Sequence, residues 1–302
     1  MEETEQARAR KGVIAILAAC TIWGFAAIFY RQLTHIPPFD VMMHRMFWSL
    51  VFFGLLLAFQ NRLGDVRDLV TDRKQIGRVA FGALVISVNW FLFIYAIFID
   101  KLSESSLGYY ISPLISVLIG LVVFREQLPR LKMASVALAT LAVLILTFGL
   151  GTLPWISLVL ALTFAIYGAL KKTLRVDSSV SVTAEVLLMS PFILFWLVFF
   201  SETPVRFDGT LVLLMLSGPL TAGPLVLFSY AAQRIRLATL GILNYWNPTL
   251  QFFVALLIFG EPMSVWHGIA FPMIWGALAL YSWASLTEAR KPSTKAATDG
   301  VT

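Results

Sequence analysis

The chain is 302 residues long, 59% hydrophobic and only 13% charged, with a formal net charge of +6. That leaves far too little polar surface to cover a water-soluble globule. The positive balance does not mark a nucleic-acid binder either, because the basic residues gather at the ends of apolar runs.

Ten apolar runs follow one another, at 12–30, 39–59, 77–98, 104–124, 131–148, 153–170, 181–200, 211–232, 237–259 and 264–285. Each is about the 20 residues needed to cross ~30 Å of hydrocarbon. Helices are expected throughout, because an unpaired backbone in lipid is prohibitive and the alternation of a barrel strand is absent.

The first run holds Trp23 and the box Leu17-Ala18-Ala19-Cys20, which looks like a lipoprotein cleavage site. Ten more apolar residues follow Cys20 and nine further runs come after it, so the segment is expected to remain as a helix. Cys20 is the single cysteine, which excludes an internal disulfide and a multi-cysteine metal site. His44 and Arg45 lie about one turn into the second run. Segment 60–76 mixes Asp65, Asp68 and Asp72 with arginines and reads as a solvated connector. Asn89 and Trp90 fall mid-way along the third run, and Tyr109, Tyr110, Ser112 and Pro113 within the fourth. Gly149-Leu150-Gly151 closes the fifth, with almost no linker before the sixth. Glu185 opens the seventh.

The eighth run contains Gly218-Pro219-Leu220-Thr221-Ala222-Gly223-Pro224, which is expected to break its helix outright. The ninth contains Asn244, Tyr245 and Pro248. Glu126 and Glu261 end the fourth and ninth runs and are expected to cap the helix that follows. Residues 1–10 and 289–302 read as disordered polar tails.

Two stretches 135 residues apart share one skeleton. Leu92-Phe93-Ile94-Tyr95-Ala96 reappears as Leu227-Phe228-Ser229-Tyr230-Ala231, each followed by a proline (Pro113, Pro248) and then a glutamate (Glu126, Glu261) at equal spacing. The repeat divides the chain into 1–150 and 151–302, five spans in each. An odd number per half makes the second half enter the membrane from the opposite side. With the N-terminus in the cytoplasm, 19 of 23 Lys and Arg residues fall on inside segments, and the positive-inside rule then puts both termini there. The expected fold is an all-α integral membrane protein of ten helices in two inverted five-helix repeats.

Duplicated, proline-interrupted hydrophobic segments point to a carrier, because broken helices expose backbone groups at mid-membrane. Trp23, Asn89, Trp90, Tyr109, Tyr110, Ser112, Pro113, Thr221, Asn244, Tyr245 and Pro248 are the candidate lining of a central substrate cavity. Ordinary kinks and packing aromatics are the competing reading of each one. Charges inside spans are costly, so His44, Arg45 and Glu185 are candidate gate or coupling groups. Snorkelling of Arg45 and a helix-start position for Glu185 stay open as structural explanations. Enzyme signatures such as His-Glu-x-x-His, a phosphate loop or Gly-x-Ser-x-Gly are absent, and neither a metal nor a cofactor is expected. Partners are a small solute and lipid, and a homodimer is left open.

The residues match a known pattern. His44-Arg45-x-x-Trp48-Ser49, Asn89-Trp90, Ser106-Leu107-Gly108-Tyr109-Tyr110-Ile111-Ser112-Pro113-Leu114, Pro154-Trp155, Tyr167-Gly168, Glu185, Gly218-Pro219-x-Thr221-Ala222-x-Pro224-Leu225, Leu240-Gly241, Pro248-Thr249 and Glu261-Pro262 occur in order. On these residues the chain resembles the RarD-like branch of the EamA transporters, in the drug/metabolite transporter superfamily, from about residue 12 to 287. The resemblance implies an inner-membrane permease moving small metabolites or drugs, usually outward. It also implies that helices one to four and six to nine surround the cavity. Ser112 stands where that branch usually has asparagine, and Asn244 where it usually has glutamine.

Overall fold

The computed structural model describes residues 5–122, 130–171, 174, 176–203, 208–235 and 237–290. Among them there is no strand, and every one of the ten apolar runs is helical along most of its length. The helices are α1 (Glu5–Arg31), α2 (Pro38–Phe59), α3 (Leu63–Thr71), α4 (Ile76–Phe98), α5 (Leu102–Val122) and α6 (Arg130–Leu150). They continue as α7 (Trp155–Lys171), α8 (Ser178–Phe199), α9 (Gly209–Ala232), α10 (Leu237–Asn244), α11 (Trp246–Phe253) and α12 (Val265–Arg290). One π-helical turn, Val254–Ile258, extends α11. Among the described residues, α1, α2, α4, α6, α8 and α9 are each long and apolar enough to cross a membrane.

Polarity is distributed inside out. Phe59, Leu84, Phe148, Phe195, Val198 and Leu257 are exposed, whereas Asp40, Arg45, Asn89, Thr221 and Glu185 are buried. Helices apolar on their outer faces with polar groups turned inward suit lipid as solvent.

Let the upper face be the one at which α1 ends. There Arg31 Nη1 donates to the Ile97 carbonyl at 3.0 Å, joining the ends of α1 and α4. Ser157 Oγ donates to the Glu104 carbonyl at 2.7 Å, so α5 and α7 both start on this face. At the lower face Arg8 donates to the Gln233 carbonyl, joining the start of α1 to the end of α9. Arg62, just after α2, pairs with Asp177, which caps α8 by accepting the Val180 N–H at 3.1 Å. That hydrogen bond to Asp177 holds the Arg62 pKa above its ordinary value. Helix α1 therefore runs upward and α7 downward.

Two pairs of helices lie side by side and parallel. Cys20, Thr21 and Gly24 on α1 meet Asn244, Trp246 and Leu250 in turn. Glu104 and Gly108 on α5 meet Ser157 and Leu160 on α7. Both seams depend on a glycine: a Cβ on Gly24 would stand 2.5 Å from Leu250 Cβ, and one on Gly108 2.8 Å from the Ser157 carbonyl oxygen. Small residues at such points let helix axes approach closely. Helix α9 packs on α1 and α2, α4 packs on α7 and α8, α2 on α8, and α6 on α12. The two largest centres of the core lie around Met43, Phe53, Trp90, Phe93 and Ile94 and around Tyr110, Leu146, Phe252 and Phe271.

Four sequence expectations change. Helix α9 runs unbroken through Pro219 and Pro224. Thr221 Oγ1 donates to the Ser217 carbonyl at 2.9 Å and Ser217 Oγ to the Leu214 carbonyl, whereas the carbonyls to which the two prolines cannot donate are those of Met215 and Leu220. Segment 60–76 carries α3, because Val66, Leu69 and Val70 recur at helical spacing and pack against the α8 region. The N-terminal tail is helical from Glu5, where Glu, Gln, Ala and Arg are strong helix formers. Glu261 caps a different helix from the one that follows it, as described below.

Candidate functional site

Arg45 organises the first cluster. Pro38 at the first turn of α2 fixes the helix start, and Arg45 follows seven residues later on its inner side. Its side chain is enclosed, with the residue 6% exposed, which rules out snorkelling to a headgroup. Nε donates to Thr221 Oγ1 at 2.9 Å, and the guanidinium lies 4.8 Å from the Trp90 ring and 5.4 Å from the Tyr30 ring. Aromatic faces attract a cation electrostatically and stack well on the planar guanidinium. Among the described residues no carboxylate pairs with Arg45. The Tyr30 ring packs edge-on against Phe93, and Phe93 against Tyr109.

Asn89, 1% exposed, is the polar hub beyond Phe93. Its Nδ2 donates to the Leu160 carbonyl at 3.0 Å and to Thr163 Oγ1 at 2.9 Å, while its Oδ1 accepts from the Tyr109 hydroxyl at 3.1 Å. One amide thus ties α4 to α5 and α7. Of the candidate cavity residues, Asn89, Trp90, Tyr109 and Thr221 come together here, with Arg45.

Tyr110, Asn244, Tyr245 and Pro248 form a second group at the seam of α1, α5, α10–α11 and α12. The Tyr110 hydroxyl is 2.7 Å from Thr249 Oγ1, its ring stacks on Tyr245, and its edge meets Phe271 and Trp275. Tyr109 and Tyr110 are successive residues, and a helix turns about 100° between them, so they serve different neighbourhoods. Tyr245 separates α10 from α11. Pro248 cannot donate to Asn244, four residues earlier, and its own carbonyl accepts from Ser106 Oγ at 2.8 Å. Asn244 Oδ1 faces Cys20 Sγ. Helix α5, carrying the paired Pro113, stays continuous. Ser112 is buried, its carbonyl accepting from Ser116, and Trp23 is half-buried beside Phe228.

Glu185, 2% exposed, forms a third group near the lower face. Oε1 accepts from Lys171 Nζ at 2.7 Å and Oε2 from the Tyr167 hydroxyl at 2.8 Å. Lys171 also donates to Ser181. Gly82 of α4 is the close neighbour, since a Cβ there would lie 3.0 Å from Glu185 Oε1. His44 is buried with its Nδ1 unpartnered. Glu261 accepts the backbone N–H groups of Leu102 at 2.6 Å and Ser103 at 2.9 Å, so its carboxylate serves the start of α5 and not that of α12. The chain reversal after the π turn aims it at that neighbour. Glu126 lies outside the described residues.

Asp40 escapes a sequence reading, because Pro37-Pro38-Phe39-Asp40 looks like an ordinary acidic first turn. It accepts from Trp196 Nε1 (2.8 Å), Ser201 Oγ (2.9 Å), Thr203 Oγ1 (2.8 Å) and the Glu202 N–H (3.1 Å). Lys171 is missed likewise, since it reads as a helix-end cation. A cavity of about 380 Å³ opens elsewhere, between α2, α3 and α8, with Leu50, Gly54, Val66, Arg67 and Leu187 in its wall. None of the candidate cavity residues borders it. Among the described residues no group of His, Cys, Asp and Glu could hold a metal ion.

The EamA-like transporter family matches residues 10–148. Among curated relatives, an uncharacterized transporter of Pseudomonas aeruginosa is 38% identical over 294 residues, covering 95% of this chain and 99% of its own. Protein RarD of Streptomyces exfoliatus is 38% identical, covering 96% and 92%. The chain belongs to the EamA-like transporter family. Protein RarD of Escherichia coli K12, at 32% identity over 94% of this chain and 98% of its own, puts it among the RarD-like members of the drug/metabolite transporter superfamily. A solved crystal structure superimposes with a TM-score of 0.62 over 93% of this chain and 99% of that one, at 16% identity, which shows likeness of fold. An EamA-like chain with these apolar helices is a multi-pass membrane transporter, and family and relatives' names indicate transport of a small solute rather than catalysis.

Proposed function

We propose that this EamA-like chain is a secondary carrier that moves a small organic solute outward across the bacterial inner membrane by alternating access. Ten helices would cross in two inverted halves, 1–150 and 151–302, with both termini in the cytoplasm. The observation that carries the reading is the exchange symmetry of the packing. Helix α1 packs parallel to α10–α11 as α7 does to α5, and α1 packs on α9 as α7 does on α4. Helix α2 meets α9 as α8 meets α4. Two halves related in this way can rock about a shared centre, where Arg45, Asn89, Trp90, Tyr109 and Thr221 stand. Contacts at the two faces, Asp40 with Trp196 above and Arg62 with Asp177 below, fit the roles of outer and inner gates.

A facilitator without ion coupling is the second reading. It is favoured by the pairing of Glu185 with Lys171, which leaves that carboxylate already neutralised. Solute flux into proteoliposomes, with and without a pH gradient, separates the two.

Sided labelling tests the inverted topology. In a Cys20→Ala background, single cysteines at the exposed positions His35, Asn61 and Thr152 meet a membrane-impermeant maleimide added from one side. The reading predicts that His35→Cys and Thr152→Cys react from outside and Asn61→Cys from inside. Labelling of His35→Cys and Thr152→Cys from opposite sides would remove it.

A further inference from the structure

Among the described residues, Arg45 is an enclosed cation without an opposing anion. Its Nε is committed to Thr221, both ring faces beside it are aromatic, and Nη1 is buried with no hydrogen-bond partner. The Tyr30 hydroxyl, on the residue whose ring lies against the guanidinium, is likewise buried and unpartnered. Ser49, one helical turn beyond Arg45 on the same side of α2, has an unpartnered buried hydroxyl as well. Two other buried charged residues are satisfied, Asp40 by four donors and Glu185 by a cation and a phenol, while Glu104 Oε2 and His44 Nδ1 are also buried without a partner.

Buried donors are normally hydrogen-bonded, and buried charges are normally paired. A guanidinium held by Nε with a buried, unpartnered Nη1 offers a charge-assisted N–H to a carboxylate oxygen. One positive charge suits one negative charge, which disfavours phosphate esters and dicarboxylates. The rings of Tyr30 and Trp90 beside it, with Phe93 packed against Tyr30, suit an apolar body attached to that carboxylate.

We propose that Arg45 anchors the carboxylate of the transported solute, with the Tyr30 hydroxyl as a second donor, so that the cargo class is a small monocarboxylate with an apolar body. This rests on the carrier reading above and names the cargo of that same site. The acid replaces the missing counter-charge. The loaded carrier is therefore electrically balanced at its centre, and the empty one is not.

The test uses the purified full-length chain and matched pairs differing only at the acid: phenylacetate with phenylacetamide, and butyrate with butyramide, with sodium chloride as the simple-anion control. A ligand that binds the folded state raises its melting temperature. The acids are expected to raise it, the amides and chloride to leave it unmoved. Arg45→Gln loses the response and Arg45→Lys keeps a weakened one. Tyr30→Phe removes a hydroxyl with no partner in the protein, so unliganded melting stays unchanged while apparent acid affinity falls about tenfold. That variant decides the matter if Arg45→Gln does not fold. Equal or larger shifts from the amides, reproduction by chloride, or an unaltered acid response in Tyr30→Phe overturns the proposal. Vesicle flux separates the two levels: amides that cross while acids do not leave the carrier standing and remove its carboxylate site. A chain that moves neither acid nor amide sinks the carboxylate cargo and counts against the carrier too.

Discussion

The Asp40 carboxylate at the start of α2 accepts the indole N–H of Trp196 near the end of α8 at 2.8 Å, joining two helices that belong to different halves of the chain. Below, Asp177 at the start of α8 reaches back to Arg62 at the end of α2. Each helix thus offers an acid at its own beginning to the other's end. Asp40 is 1% exposed and Arg62 is a surface residue, so the upper contact is much the stronger of the two.

Asp40→Ala would strand the indole, two hydroxyls and a backbone N–H. The expected loss is on the order of 3 kcal/mol of stability, read from thermal unfolding in detergent. Trp196→Phe removes a single donor and should cost about 1 kcal/mol, with easier access to the upper face. A wild-type melting temperature in Asp40→Ala would remove the latch.

Glu185 and Lys171 form an ion pair in which the carboxylate is buried and the ammonium partly exposed, so deleting Lys171 leaves a lone charge in the interior. Glu185→Gln and Lys171→Met are each expected to destabilise by about 3–5 kcal/mol. The double variant should recover much of that loss, giving a coupling energy well above the 0.5 kcal/mol seen between independent sites. Additive effects in the cycle would show that the two residues act separately.

Asn89→Leu deprives the Leu160 carbonyl, Thr163 and Tyr109 of a shared partner. About 1–3 kcal/mol of stability and all solute flux are expected to go, with membrane insertion intact. Unchanged uptake into proteoliposomes would remove Asn89 from the site, and Tyr109→Ala is the companion test.

Two glycines of α9 make a paired comparison. A Cβ on Gly218 would stand 2.5 Å from the backbone carbon and oxygen of Trp48 on α2, whereas one on Gly223 meets nothing within 4 Å. Gly218→Ala should therefore destabilise by about 1–3 kcal/mol, and Gly223→Ala should be neutral or stabilise by up to about 1 kcal/mol, as measured by thermal unfolding. Equal effects would show that α2 and α9 are not in backbone contact.

The helices were legible because lipid forces a spanning segment to satisfy its own backbone, so run length alone located them. The break at Asn244–Pro248 could also be read, from a proline behind a cluster of polar and bulky residues. The continuity of α9 could not: Pro219 and Pro224 each remove one backbone donor, and whether the helix runs on past them is decided by the packing around it. Nor could the partners of Asp40 and Glu185, which come from α8 and α7 through tertiary contact. Of the candidate lining, the spacing that found Asn89, Trp90, Tyr109 and Thr221 could not tell them from Tyr110 and Tyr245. Position along each helix was readable, but helix rotation was not.

Access to the centre from both sides tests the account most directly. Ser87 and Phe93 flank Asn89 on α4, and both are buried. As single cysteines in a Cys20→Ala background, they would be probed in oriented vesicles with an impermeant thiol reagent from each face in turn. An alternating carrier predicts modification from either side, with a solute that moves the equilibrium raising one rate and lowering the other. Reaction from one face only, at rates indifferent to solute, would contradict it.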